Sequence, residues 1–126
     1  MSTHSTIVTK QGGYIGIYCN FDGYPRHNGV ILYNNYKTQA QVDALIKLGN
    51  LISLGKTPAS CESYASEDGK MGENAPTRKS SPHQIANEVG GEEYVYVFEG
   101  GKWTVNDEFL EDVLVTPEKK VKTPWT

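Results

Sequence analysis

The sequence predicts an α+β domain: a four-stranded antiparallel sheet made from two hairpins, with two or three helices packed on one face. Three observations predict it. Residues 14–20 alternate with a period of two, directly after Gly12-Gly13. Residues 93–98 form a second aromatic and β-branched run, directly before Gly100-Gly101. Between them, residues 38–49 carry a capping residue, an apolar stripe at helical spacing and a closing glycine.

Taken in order, Thr6-Ile7-Val8-Thr9-Lys10 is a β-branched strand and Gln11-Gly12-Gly13 turns the chain. Ile15, Ile17 and Cys19 then share one face, and Tyr14, Gly16, Tyr18 and Asn20 the other, so residues 5–20 make a hairpin. The Asp-Gly pair, the proline and the second glycine of residues 21–29 mark a loop that leaves the sheet. Residues 30–36 are expected to be helical, with Val30 and Tyr33 inward alongside Ile31 and Leu32. Thr38 is a good N-cap with Gln41 at capping-box spacing, and Val42, Leu45 and Ile46 form the buried stripe up to Gly49. Residues 51–55 read as one further turn under the sheet.

Residues 56–81 hold only Tyr64 and Met71 as large apolar side chains and read as a surface excursion. Ser81 and Pro82 open a short helix that closes near Gly90-Gly91. Residues 93–98 and 103–106 form the second hairpin. Asn106 or Asp107 then caps a helix carrying Phe109, Leu110, Val113 and Leu114. Residues 1–115 are thus a single domain, and 116–126 a loose tail.

Composition excludes several function classes. The chain has 126 residues, a net charge of −3 and 21% charged residues, so it is no basic nucleic-acid binder and direct DNA binding is not expected. No apolar run approaches the roughly 18 residues of a membrane span. The first residues lack the basic and apolar regions of a signal peptide, so a cytoplasmic protein with reduced thiols is expected. Cys19 and Cys61 are too few for a disulfide framework. A metal held by both with His4, His27 or His83 is the alternative to plain thiols. No pair of them has ligand spacing, so neither metal nor cofactor is expected. GxSxG, HExxH and GxxxxGK[ST] motifs are absent.

The densest functional segment is the loop after the first hairpin. Asn20, Phe21, Asp22, Tyr24, Arg26, His27 and Asn28 combine amides, aromatic rings, a carboxylate, a guanidinium and an imidazole. Such a loop can cradle a phosphate and stack a base. The plainer alternative makes Asp22-Gly23 a turn and Phe21 and Tyr24 core anchors. Charge gathers elsewhere: residues 92–112 hold seven acids and one lysine. Glu92, Glu93, Asp107, Glu108, Glu111 and Asp112 form an acidic edge suited to a basic partner protein. Tyr14, Tyr18, Tyr94 and Tyr96 are expected either to share one sheet face as a binding platform or to lie under the helices as core.

Several stretches resemble a family of small proteins of bacteriophages, prophages and plasmids. They are Ser5-Thr6-Ile7, the run from Ile17 through Asn20-Phe21-Asp22-Gly23-Tyr24 to Pro25, and Leu45-Ile46-Lys47-Leu48-Gly49-Asn50-Leu51-Ile52-Ser53-Leu54-Gly55. Asn50 and Ile52 stand where that pattern often has Asp and Ser. The resemblance implies a mobile-element origin, hence action in the host cytoplasm, but no particular activity; small non-structural phage proteins in general often act against host defence. The expected function is therefore a binding protein that antagonises host antiviral defence. It would sequester a nucleotide-type signal in the loop or block a host effector through the acidic edge. The alternatives are a small hydrolase or nuclease-like enzyme using Asp22 and His27, and an oligomeric structural accessory protein joined through open sheet edges.

Overall fold

The structure is a computed structural model that describes residues 3–68 and 71–115. The expected tail, 116–126, lies outside the described residues. Strands β1 (Ser5–Gln11) and β2 (Gly13–Cys19) form the expected hairpin, with Ser5 opposite Cys19 and Gln11 opposite Gly13. A five-residue π-type turn, Pro25–Gly29, leads into α1 (Val30–Asn35). Helix α2 (Gln39–Ile46) follows, then β3 (Leu51–Ser53), β4 (Glu62–Ser63), α3 (Tyr64–Asp68) and β5 (Thr77–Lys79). Helix α4 (Pro82–Val89), β6 (Tyr94–Glu99), β7 (Lys102–Val105), β8 (Glu108–Phe109) and α5 (Leu110–Val115) complete the chain.

The sheet is larger than expected, and mixed. Its eight strands run β4-β3-β2-β1-β6-β7-β8, with β5 also paired to β2. The two hairpins join through a parallel pair: β1 lies along β6 in register, Ile7 beside Tyr96. A local pattern cannot reveal that direction, because 89 residues separate each pair of partners in sequence, as 94 − 5 for Ser5 and Tyr94, and the choice is made by how the intervening helices pack. The segment expected as a surface excursion supplies β4 and β5, and residues 51–53, expected as a helical turn, are strand β3.

Helices cover both faces. Ile7, Ile17, Cys19, Tyr96 and Phe98 pack under α1, α2 and α5 with Leu32, Tyr36, Val42, Leu45 and Leu110. On the opposite face Val8 and Val95 pack against Ile85 and Ala86 of α4. That helix comes close because residue 16 is glycine: a Cβ there would sit 2.8 Å from Val8 Cγ2 and 3.3 Å from Ile85 Cγ2. With both faces covered, β1 is buried from Ser5 through Thr9. Its two buried threonine hydroxyls donate to backbone, Thr6 to Gly91 O at 2.8 Å and Thr9 to Phe98 O at 2.9 Å. The four tyrosines therefore do not share a face. Tyr94 and Tyr96 belong to the α1–α2–α5 side, whereas Tyr14 packs on the α4 side.

The predicted caps stand. Thr38 and Gln41 form the capping box of α2, Gly49 closes it at φ +78°, and Ser81 caps α4 before Pro82. Three local expectations fail, the first at Phe109, expected on α5 but placed in β8 and exposed. Tyr33 points outward at 40% exposure while Leu32 and Tyr36 are buried. Asn106 and Asp107, both at positive φ, form the two-residue turn between β7 and β8 and do not cap α5.

Candidate functional site

The 20–28 loop leaves the end of the sheet where β2 stops and where β1 and β6 begin. Its backbone is tied at several points. Asn20 N–H donates to Leu51 O at 3.0 Å, Phe21 N–H to Ile52 O at 3.1 Å, and Gly23 N–H to Thr3 O at 2.8 Å. The Tyr96 hydroxyl donates to Gly23 O at 2.6 Å from below. Residue 23 must be glycine for this approach, since a Cβ would lie 2.7 Å from Ser5 Cβ.

Asn28 is the hub of the loop and is 0% exposed. Its amide N–H group reaches Phe21 O at 3.3 Å, Cys19 Sγ at 3.4 Å and Ser5 Oγ at 3.5 Å. Its Oδ1, which can only accept, takes the His27 Nδ1–H at 3.0 Å. Burial pushes the Cys19 thiol from 9.0 up to about 11, an increase that the Asn28 hydrogen bond opposes in part. Cys19 is therefore a neutral structural thiol, not a nucleophile. Burial also raises the Tyr96 hydroxyl far above the ordinary phenol value.

The aromatic pair behaves differently. Phe21 is 42% and Tyr24 39% exposed, so neither anchors the core. Asp22 between them takes a left-handed φ of +56°, a conformation Asp tolerates. Arg26 is exposed and His27 half-buried, with the His27 ring 6.2 Å from that of Tyr24. No hydrogen bond or ion pair joins the Asp22 carboxylate to His27 among the described residues.

Two residues beside the loop carry more than their sequence positions announce. The Tyr18 hydroxyl donates to Asn20 Oδ1 at 2.9 Å and lies 2.9 Å from His4 Nδ1, which in turn lies 3.0 Å from Asn20 O. A carbonyl can only accept, so Nδ1 carries the proton and is shared between the two oxygens. Burial, then the neighbouring Tyr64, raises the Tyr18 pKa and keeps it a neutral phenol. The hairpin register was the available signal: a turn centred on Gly12 places residue 4 opposite residue 20.

Part of the acidic edge reaches the same end of the sheet. Asn106 accepts from Val95 N–H at 2.8 Å and donates to Glu93 O at 3.1 Å. This cross-link brings Glu92 and Glu93 beside Asp107 and Glu108, all exposed. Glu93 also accepts the His4 N–H at 2.9 Å. Asp107 pairs with His83 at 3.3 Å; Glu111 and Asp112 sit on α5, with Glu111 3.9 Å from Lys102.

Cys61 lies apart from Cys19, half-buried, accepting from Gly55 N–H at 3.2 Å. No group of three His, Cys, Asp or Glu side chains that could hold a metal ion exists among the described residues. No described helix is long and apolar enough to cross a membrane. Compared with protein-family models, curated proteins and solved structures, the chain matches none.

Proposed function

We propose that the chain is a mobile-element accessory protein that binds a basic host defence effector through this end of the sheet and blocks it. One observation carries the reading: Phe21 and Tyr24 stay 42% and 39% exposed on a loop whose own polar groups are tied down. Displayed aromatic rings on a rigid loop lose little entropy on binding and serve as interface anchors. Glu92, Glu93, Asp107 and Glu108 flank that display with negative charge, which steers and selects a positive partner. Capture of a free nucleotide signal at the loop is the second reading, favoured by Arg26 and His27 beside the rings. The neighbouring carboxylates oppose a phosphate there.

The test is phage plating on a defended host that expresses the protein, paired with co-purification of the effector. Wild type restores plating and retains the effector, less so at high salt. Charge-neutral replacement of Glu92, Glu93, Asp107 and Glu108, or Phe21→Ala with Tyr24→Ala, abolishes both effects. Asp22→Ala with His27→Ala leaves them intact. Full activity in the charge-neutral and aromatic variants removes this reading; loss with Asp22→Ala and His27→Ala alone revives the enzyme.

A further inference from the structure

The turn between β6 and β7 lies at the opposite end of the sheet from the 20–28 loop, because β6 begins beside Ser5 and runs toward Thr9. Between that turn, α1 and α5 the surface opens into a cleft of about 230 Å³. Its lining is aromatic in one part and cationic in another. Tyr33 stands 40% exposed there, and Phe98 and Trp103 line it with ring centroids 5.1 Å apart. The Trp103 indole N–H is committed to Tyr36 O at 2.8 Å, and Trp103 and Phe98 are only 6% and 2% exposed, so Tyr33 is the ring on open display. Lys37 and Lys102 line the same cleft. Lys37 makes no ion pair among the described residues, and Lys102 reaches Glu111 only at 3.9 Å. Nothing fills the mouth at Gly101, where a Cβ would meet no atom within 4 Å.

We propose that this cleft binds one small planar aromatic anion. Its ring lies against the exposed Tyr33, over the Trp103 floor of the cleft, and its phosphate or carboxylate sits between Lys37 and Lys102. Two ammonium groups against one carboxylate select an anion, and exposed ring surface selects a flat partner. The volume falls below the roughly 300–1,000 Å³ of drug-sized sites, so a single ring system fits and a dinucleotide does not. Binding exchanges the long Lys102–Glu111 contact for a shorter one to the ligand. The site stands independently of the protein-docking surface, and it lies away from the carboxylates that oppose a phosphate at the loop.

Calorimetric titration of the full chain tests it with four probes: adenosine monophosphate, indole-3-acetate, adenosine and inorganic phosphate. Saturable binding of adenosine monophosphate identifies a phosphate ligand, and of indole-3-acetate a carboxylate one. In either case adenosine and inorganic phosphate bind at least about tenfold more weakly. Lys37→Met and Tyr33→Ala, both at exposed positions that the fold does not need, each weaken binding about tenfold. Tyr24→Ala leaves it unchanged, which separates this cleft from the loop. Absence of saturation with all four probes overturns the proposal. So does equal affinity for the ring or the anion alone, or an unchanged Lys37→Met variant, or equal loss in Tyr24→Ala.

Discussion

The 20–28 loop and the 56–81 segment look alike as sequence, both polar and both broken by glycine and proline. They are built in different ways. The loop is held from inside, by the buried Asn28 amide and the Tyr96 hydroxyl beneath Gly23. The described part of the segment is held from its edges. Thr77–Lys79 pairs with β2, Asn50 N–H donates to Asn74 O at 2.8 Å, and Tyr64 N–H to Asn50 O at 3.1 Å. The first arrangement fixes a loop while leaving its aromatic side chains on display. The second extends a sheet and displays no aromatic ring: its Tyr64 is half-buried, and Met71 is its exposed apolar side chain. Composition does not distinguish the two; the destination of each polar group does.

The largest expected effect comes from removing the hub. Asn28→Ala leaves Phe21 O and the His27 ring without their buried partner, at a cost of roughly 1–3 kcal/mol, toward the upper end because the site is fully buried. A urea titration that finds less than about 0.5 kcal/mol would show that the loop is not held from inside. The matching change in the segment is smaller. Thr57→Ala removes the capping box with Ser60 on an exposed turn, and about 0.5–1 kcal/mol is expected. If the two losses are equal in the same titration, the distinction between inside and edge support fails.

Alkaline pH sharpens the comparison at Cys19, which the loop covers. The folded thiol keeps its proton up to about 11, whereas the unfolded one loses it near 9.0. Between those values the folded state binds more protons, so stability is complete below pH 9 and falls as pH rises toward 11. Burial of the Tyr36 and Tyr96 hydroxyls adds to the decline at the upper end. Urea midpoints measured from pH 8 to 10.5 should drop, and Cys19→Ala should drop less steeply than wild type. Parallel slopes would mean that burial does not hold the Cys19 thiol protonated.

The sequence made both hairpins legible because each is local: a period of two beside a Gly-Gly turn fixes pairing within a few residues. Helix caps were legible for the same reason, in Thr38 with Gln41 and in Ser81 with Pro82. The parallel β1–β6 pairing was not, since it depends on packing across the whole chain. Nor were β4 and β5, whose two and three residues have no pattern of their own and are ordered by the sheet edge they join. At the site, the membership of the loop was readable but the roles within it were not. Asn28 has the polarity of a ligand-binding residue, and only its burial assigns it to the scaffold. The acids at 92–93 and 107–108 come together through the Asn106 turn, which the sequence signals as a helix cap equally well.

The smallest expected stability effect is the most informative about function. Phe21→Ala and Tyr24→Ala remove large rings, and in a packed core that change costs roughly 3–5 kcal/mol. Both rings are close to 40% exposed, and neither belongs to the two apolar clusters of the core. The loop backbone is carried by Asn28, Gly23 and Tyr96, none of which the substitutions touch. Each variant should therefore lose under about 1 kcal/mol in a urea titration while losing partner retention and phage plating. A loss near the core value would make the rings anchors after all. Their exposure would then be incidental to a packing role, and the acidic end of the sheet would have to hold a partner by charge alone.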